Sequence, residues 1–162
     1  MTDIQPLQLS FTVRGFDCGY GGPLRPLALA DMLQEAASVH AVRLGVGADD
    51  MSAQGRTWML SRLDIRVLRQ PREGETILVR TWPAGFERLF AVRDFEIEGD
   101  EGQPIVVASY AYLVVDIAAR RPLRAQNAVG TDLAVSRPRA LPDARFTLDG
   151  FPAEDEFSPS FT

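Results

Sequence analysis

Gln34, Glu35 and Asp17 are the side chains whose types and places suit work on a carbonyl group. A carboxylate can activate or anchor water, and an amide beside it can orient that water or the carbonyl. Gln34 and Glu35 are neighbours in the run Leu33-Gln34-Glu35-Ala36-Ala37-Ser38, while Asp17 stands in a loop that continues through Gly19, Gly21 and Gly22. Backbone N–H groups of Gly21, Gly22 and the helical turn that follows could face a developing oxyanion, because free donors and the helix dipole collect there. Each assignment has a plainer rival. Glycines serve tight turns, Asp31, Gln34, Glu35 and Ser38 together make an ordinary polar helical face, and a loop aspartate often forms a turn. His40, the chain's only histidine, has a pKa suited to proton transfer. Its place on an apolar face near a helix C-terminus favours a packed, hydrogen-bonded ring instead. Cys18 has no activating histidine beside it, and a nucleophilic thiolate needs one. No cluster shows metal-ligand spacing, so neither metal nor cofactor is expected.

The elements that must carry these residues follow from periodicity. Leu7, Leu9, Phe11 and Val13 alternate with Gln8, Ser10, Thr12 and Arg14, which predicts a strand with one buried face. Residues 26–44 predict one long helix. Pro26 suits its first turn, Leu29, Met32, Leu33, Ala36, Ala37, His40 and Leu44 share one face, and Gly45 and Gly47 stop it. Strands are expected over 57–69, 76–82, 88–98 and 104–117, broken at Pro71–Gly74, Pro83-Ala84-Gly85 and Gly99–Gly102. Leu63, Ile65 and Val67 alternate with Arg62, Asp64 and Arg66, and Phe95 and Ile97 alternate with charged residues, so one sheet face is expected buried and the other wet. From about Ala118 the pattern dissolves. Residues 1–129 are therefore read as one domain, and 130–162 as a proline-rich, acidic connection or tail.

The chain has 162 residues, 46% hydrophobic and 24% charged, which suits one packed core. All 17 basic side chains are arginine. Against 22 acids they leave a net charge of −5, most of it from Asp149, Glu154, Asp155 and Glu156. Nucleic-acid binding is not expected, since it needs a clustered positive excess. Apolar runs such as Ile105-Val106-Val107-Ala108 are too short to span a bilayer, the N-terminus lacks a secretory pattern, and a single cysteine allows no internal disulfide. A cytoplasmic location is the expectation.

Phe11-Thr12-Val13-Arg14, Leu33-Gln34-Glu35-Ala36-Ala37-Ser38-Val39-His40 and Thr57-Trp58-Met59-Leu60-Ser61-Arg62-Leu63 resemble, in this order, the N-terminal half of the acyl-carrier-protein thioesterases. The segments from Gly74 to Trp82 and from Val92 to Phe95 continue the likeness. The resemblance implies an α+β hotdog fold, a curved antiparallel sheet wrapped around one long helix. It also implies hydrolysis of fatty acyl thioesters carried by acyl carrier protein or coenzyme A. Leu29, Leu33, Ala36, Ala37, His40 and Trp58 would then form the acyl pocket or the helix core.

In that family the first hotdog mainly contributes the acyl pocket, and the second carries the catalytic acid, asparagine and histidine on the loop leading into its helix. Here the equivalent loop offers Asp17, Gly19, Gly21 and Pro23 instead. Single-hotdog thioesterases often place an acid on the central helix, which favours Glu35. Ser160-Phe161-Thr162 restates Ser10-Phe11-Thr12 and resembles the opening strand of a second hotdog. The rival readings are a non-catalytic acyl-binding half and another thioester enzyme on the same fold, such as a dehydratase. A homodimer is expected, because one hotdog leaves a sheet edge uncovered.

Overall fold

The computed structural model describes residues 4–129, 133 and 137–146. Its elements run β1 (Leu7–Thr12), α1 (Pro26–Arg43), α2 (Ala48–Ala53), β2 (Arg56–Val67), β3 (Thr76–Glu87), β4 (Phe90–Glu98), β5 (Pro104–Asp116), β6 (Arg121–Leu123) and α3 (Ala125–Val129). A single antiparallel sheet of order β1-β3-β4-β5-β2 curls around α1, with β6 paired to β5. This is the expected hotdog architecture. Among the described residues no helix is long and apolar enough to cross a membrane.

Helix α1 begins where the sequence dictates. Arg25 is extended at φ −68°, ψ 138°, as the residue before a proline prefers, and Pro26 opens the first turn. Leu29, Met32, Leu33, Ala36, Ala37 and His40 are buried, packed with Phe95, Ile97, Ile105 and Tyr110 from the sheet. The small pair Ala36 and Ala37 lets the helix lie close to the strands. The helix ends in a Schellman motif: Val46 N–H donates to Ala41 O at 3.0 Å and Gly45 N–H to Val42 O at 3.1 Å. Gly45 takes the left-handed conformation at φ +71° that this cap requires.

Two expectations about connections are corrected here. Pro83-Ala84-Gly85 is not a turn but a bulge inside β3, where the register to β4 shifts between Pro83 and Gly85. A bulge tolerates a proline that cannot donate to the ladder, and the turn falls instead at Arg88 and Leu89, with Arg88 at φ +53°. The connection after α1 contains the short helix α2, begun by Gly47 N–H donating to Asp50 Oδ2 at 2.9 Å.

The outer sheet face is only partly wet: Arg62 and Arg66 stay exposed, but a later segment covers the middle of the face. Residues 137–146 cross it as a strap, burying Leu141, Ala144 and Phe146 against Phe90, Val92, Ala111 and Leu113. Beneath the strap, Asp94 is fully buried. It accepts from Ser109 Oγ at 2.7 Å, Arg139 Nε at 2.8 Å and the Ala140 N–H at 2.8 Å. With both faces covered, β5 reads as a nearly unbroken apolar run. The Ser160-Phe161-Thr162 triplet and most of the acidic 130–162 segment lie outside the described residues.

β2 is an edge strand. A register shift between Leu60 and Arg62 changes which residues face inward. Leu63 and Val67 share the side of Ile65, yet they remain 48% and 40% exposed because no further strand covers them.

Candidate acyl-binding site

A cavity of about 310 Å³ opens between α1 and the sheet, within the range of about 300–1,000 Å³ usual for small-molecule sites. Ala37, Ala41 and Val42 of α1 line it, facing Trp58 of β2, the bulge residues Pro83 and Gly85, and Phe86. The bulge turns β3 so that Phe86 reaches this wall. The Schellman cap delivers Val46, whose carbonyl accepts the Trp58 indole N–H at 2.8 Å. A helix end and an edge strand are thereby pinned around one apolar space.

Gln34, Ser38, Thr57, Arg93 and Tyr112 interrupt the apolar lining. Tyr112 donates its hydroxyl to Gln34 Oε1 at 2.8 Å, and burial pushes its phenol pKa up, so the proton stays on the oxygen. Arg93 is buried and donates from Nη1 to His40 Nδ1 at 3.0 Å and to Thr81 Oγ1 at 3.2 Å. Burial first, and the charges of Arg93 and Arg43 next, push His40 down to about 4, so the ring is neutral at pH 7. Since Nδ1 accepts from arginine, the ring proton sits on Nε2, and the backbone of Gln5 is the ring's other partner.

The candidate residues separate in space. Gln34, Ala37 and Trp58 line the cavity. Leu29, Leu33 and Ala36 lie in the core under the helix, and His40 is held by Arg93 at the cavity's edge. Glu35 is exposed and does not line the cavity. Asp17 is buried in a 3-10 turn, accepting from Arg14 N–H at 3.2 Å and Arg14 Nε at 3.1 Å. Burial raises its carboxyl pKa, but the Arg14 bonds outweigh this and hold it below its ordinary value. Gly21 and Gly22 have φ of +86° and +97° and form a tight turn, with Gly22 N–H donating to Gly19 O at 3.1 Å. They border a separate surface hollow that shares no lining residue with the cavity. The structure therefore does not bring Asp17, Gly21 or Gly22 together with Gln34. No carboxylate or imidazole lines the cavity among the described residues.

Sequence reasoning did not single out Arg93, Thr81, Tyr112, Val46 or Phe86. For Arg93 a signal existed: it has the parity of Phe95 and Ile97, so an arginine stands at a core position of β4. The others depend on a bulge and a cap that have no such mark.

Residues 6–132 match the acyl-ACP thioesterase N-terminal domain. The chain belongs to this family. A chloroplastic dodecanoyl-[acyl-carrier-protein] hydrolase of Umbellularia californica is 30% identical over 96 residues, covering 52% of this chain and 25% of that protein. An acyl-ACP thioesterase from Bacteroides thetaiotaomicron superposes with a TM-score of 0.78 at 25% identity, over 88% of this chain and 57% of that one. The 12:0-ACP thioesterase from Umbellularia californica shares the fold, with a TM-score of 0.75 at 20% identity over 93% and 62% of the two chains. This acyl-ACP thioesterase domain thus spans a quarter of the length of that curated relative and 57–62% of the two solved chains.

Proposed function

We propose that this hotdog holds the fatty acyl chain of a thioester, carried by acyl carrier protein or coenzyme A, for hydrolysis to a free fatty acid and the carrier thiol. The observation that carries the reading is the apolar cavity between α1 and the sheet, walled by Ala37, Val42, Val46, Trp58 and Phe86. Such a slot supplies position, and positioning accounts for much of the rate in acyl transfer. The family of the chain and the names of its relatives support the same substrate class.

The absence of a carboxylate from the cavity's described lining favours one version of this reading. The domain binds the acyl group, and the groups that activate water come from a second hotdog, either a twin chain or one supplied elsewhere. The exposed inner-side residues Leu63 and Val67 of edge strand β2 support a homodimer as one such arrangement.

The test is thiol release from dodecanoyl-coenzyme A and dodecanoyl-acyl carrier protein, alongside binding of the non-hydrolysable dodecyl-coenzyme A thioether followed by tryptophan fluorescence. Binding without thiol release establishes the acyl-binding half. Release that disappears in Glu35→Gln makes Glu35 the base, and release unchanged in that variant removes it. No binding of the thioether rejects the acyl slot.

A further inference from the structure

Arg93 sits in this cavity's wall as a cation without a counter-ion among the described residues. It lines the cavity, and only 9% of its surface is exposed. Among the described residues, both of its side-chain hydrogen bonds leave from Nη1 and end on neutral acceptors, the His40 imidazole and the Thr81 hydroxyl. None of the ion pairs among the described residues includes it. Its sequence neighbour Asp94 cannot serve, because strand alternation turns it to the outer face, where Arg139 and Ser109 hold it. Burial pushes the Arg93 guanidinium down only to about 10, so it is charged at neutral pH. The groups beside it, Tyr112 and His40, are neutral there.

A buried charge is normally paired, because leaving it alone in an apolar surround is costly. Guanidinium has five N–H donors in a fork that matches a carboxylate. Nη1 uses protein acceptors, and the remaining N–H groups have none among the described residues. A cavity built only for hydrocarbon has no use for such a group.

We infer that Arg93 makes the cavity a carboxylate-binding slot, and that its ligand is an aliphatic chain that brings a carboxylate inside to meet this guanidinium. The inference rests on the acyl-slot reading and narrows it. Two molecules carry the required chemistry: a free fatty acid, entering by its own head group, and an acyl thioester whose far end bears a second carboxylate. In either case the chain packs against Trp58, Val46 and Phe86 while the anion displaces solvent from Arg93.

Trp58 lines the same space, so its fluorescence reports occupancy without any catalytic turnover. Titrations at pH 8 and sub-micellar concentration compare dodecanoate with dodecan-1-ol on the full chain. We expect the carboxylate to bind at least tenfold tighter, with the preference lost in Arg93→Met and retained in Arg93→Lys. A second pair, dodecyl-coenzyme A thioether and its analogue with a terminal carboxylate, separates the sources. A tenfold gain for the terminal carboxylate assigns the thioester's far end, and no gain alongside a dodecanoate preference assigns the free acid.

Equal affinity for dodecanoate and dodecan-1-ol in the unaltered protein overturns the inference, as does a carboxylate preference that survives in Arg93→Met. The comparison in the unaltered protein decides the matter even if Arg93→Met does not fold. Failure of every dodecyl probe to bind would reject the acyl slot itself, a result distinct from binding without preference for the anion.

Discussion

Tyr112 on β5 and Gln34 on α1, 78 residues apart in sequence, meet across the cavity through one 2.8 Å hydrogen bond from phenol to amide oxygen. That bond joins the helix to the sheet at the point where an acyl chain would pass. Tyr112→Phe removes the donor and keeps the ring that packs at 6.2 Å on Trp58. Stability should fall by about 1 kcal/mol, the net worth of a neutral hydrogen bond, and the melting midpoint by about 2–4 °C. In the Tyr112→Phe background, Gln34→Ala should add little, since the interaction is already gone. Thermal denaturation of the two single variants and the double variant checks both points.

His40 makes stability depend on pH. Its folded pKa is about 4, against 6.5 when free, so the folded state resists protonation and the unfolded state accepts it. The stabilisation is fully present above pH 6.5 and is lost as pH falls from there toward 4, a total on the order of 3 kcal/mol. Urea denaturation at steps between pH 7 and pH 4.5 should show the decline, and His40→Asn should flatten it. Glu75, held at about 2 chiefly by the Arg69 hydrogen bond, loses its contribution as pH falls from 4.5 toward 2, so the decline above pH 4.5 belongs to His40.

The strap depends on the Asp94–Arg139 pair. Arg139→Ala leaves a fully buried carboxylate facing only Ser109 and one backbone N–H, which should cost about 3 kcal/mol. Phe146→Ala opens space against Phe90, whose ring centroid lies 6.5 Å away, and should also cost about 3 kcal/mol. Both variants should bring protease cleavage into residues 137–146 before the sheet itself unfolds. Equal protection of the strap in variants and parent would contradict its dependence on these contacts.

Edge strand β2 gives the remaining prediction. If Leu63 and Val67 are covered by a second copy, Leu63→Glu places a charge in that interface and should convert dimer to monomer in sedimentation equilibrium, with the far-ultraviolet circular dichroism unchanged. A parent protein that is already monomeric at high micromolar concentration would rule out the homodimer.

The long helix and the first strand were legible because each has a strong local mark. Pro26 and Gly45 bracket a 3.6-residue pattern, and Leu7, Leu9 and Phe11 repeat every second residue. The bulge at Pro83–Gly85 was not legible, since proline and glycine between apolar runs signal a turn equally well. The strap was hidden for a different reason. Leu141, Ala144 and Phe146 have no regular period, and their burial depends on a sheet face assembled from two distant strands, at Phe90 and Val92 and at Ala111 and Leu113. Within the site, Gln34, Ala37 and Trp58 were found through their neighbours in sequence, whereas the Arg93–His40 contact joins residues 53 apart. Asp17 and the Gly21-Gly22 turn were plausible by residue type, but the Asp17 carboxylate and the Gly22 N–H are already engaged in holding a loop, away from the cavity.

His40 touches three parts of the chain at once: its own helix, Arg93 on β4, and the backbone of Gln5 ahead of β1. A ring with such scattered partners cannot be seated while any one of them is still loose, because closing the separate loops must come first. Between pH 4 and pH 6.5 the ring sheds its proton on being seated. Folding in that interval therefore releases a proton from this ring, which ties one titration to the contacts among the N-terminal segment, the helix and the central sheet.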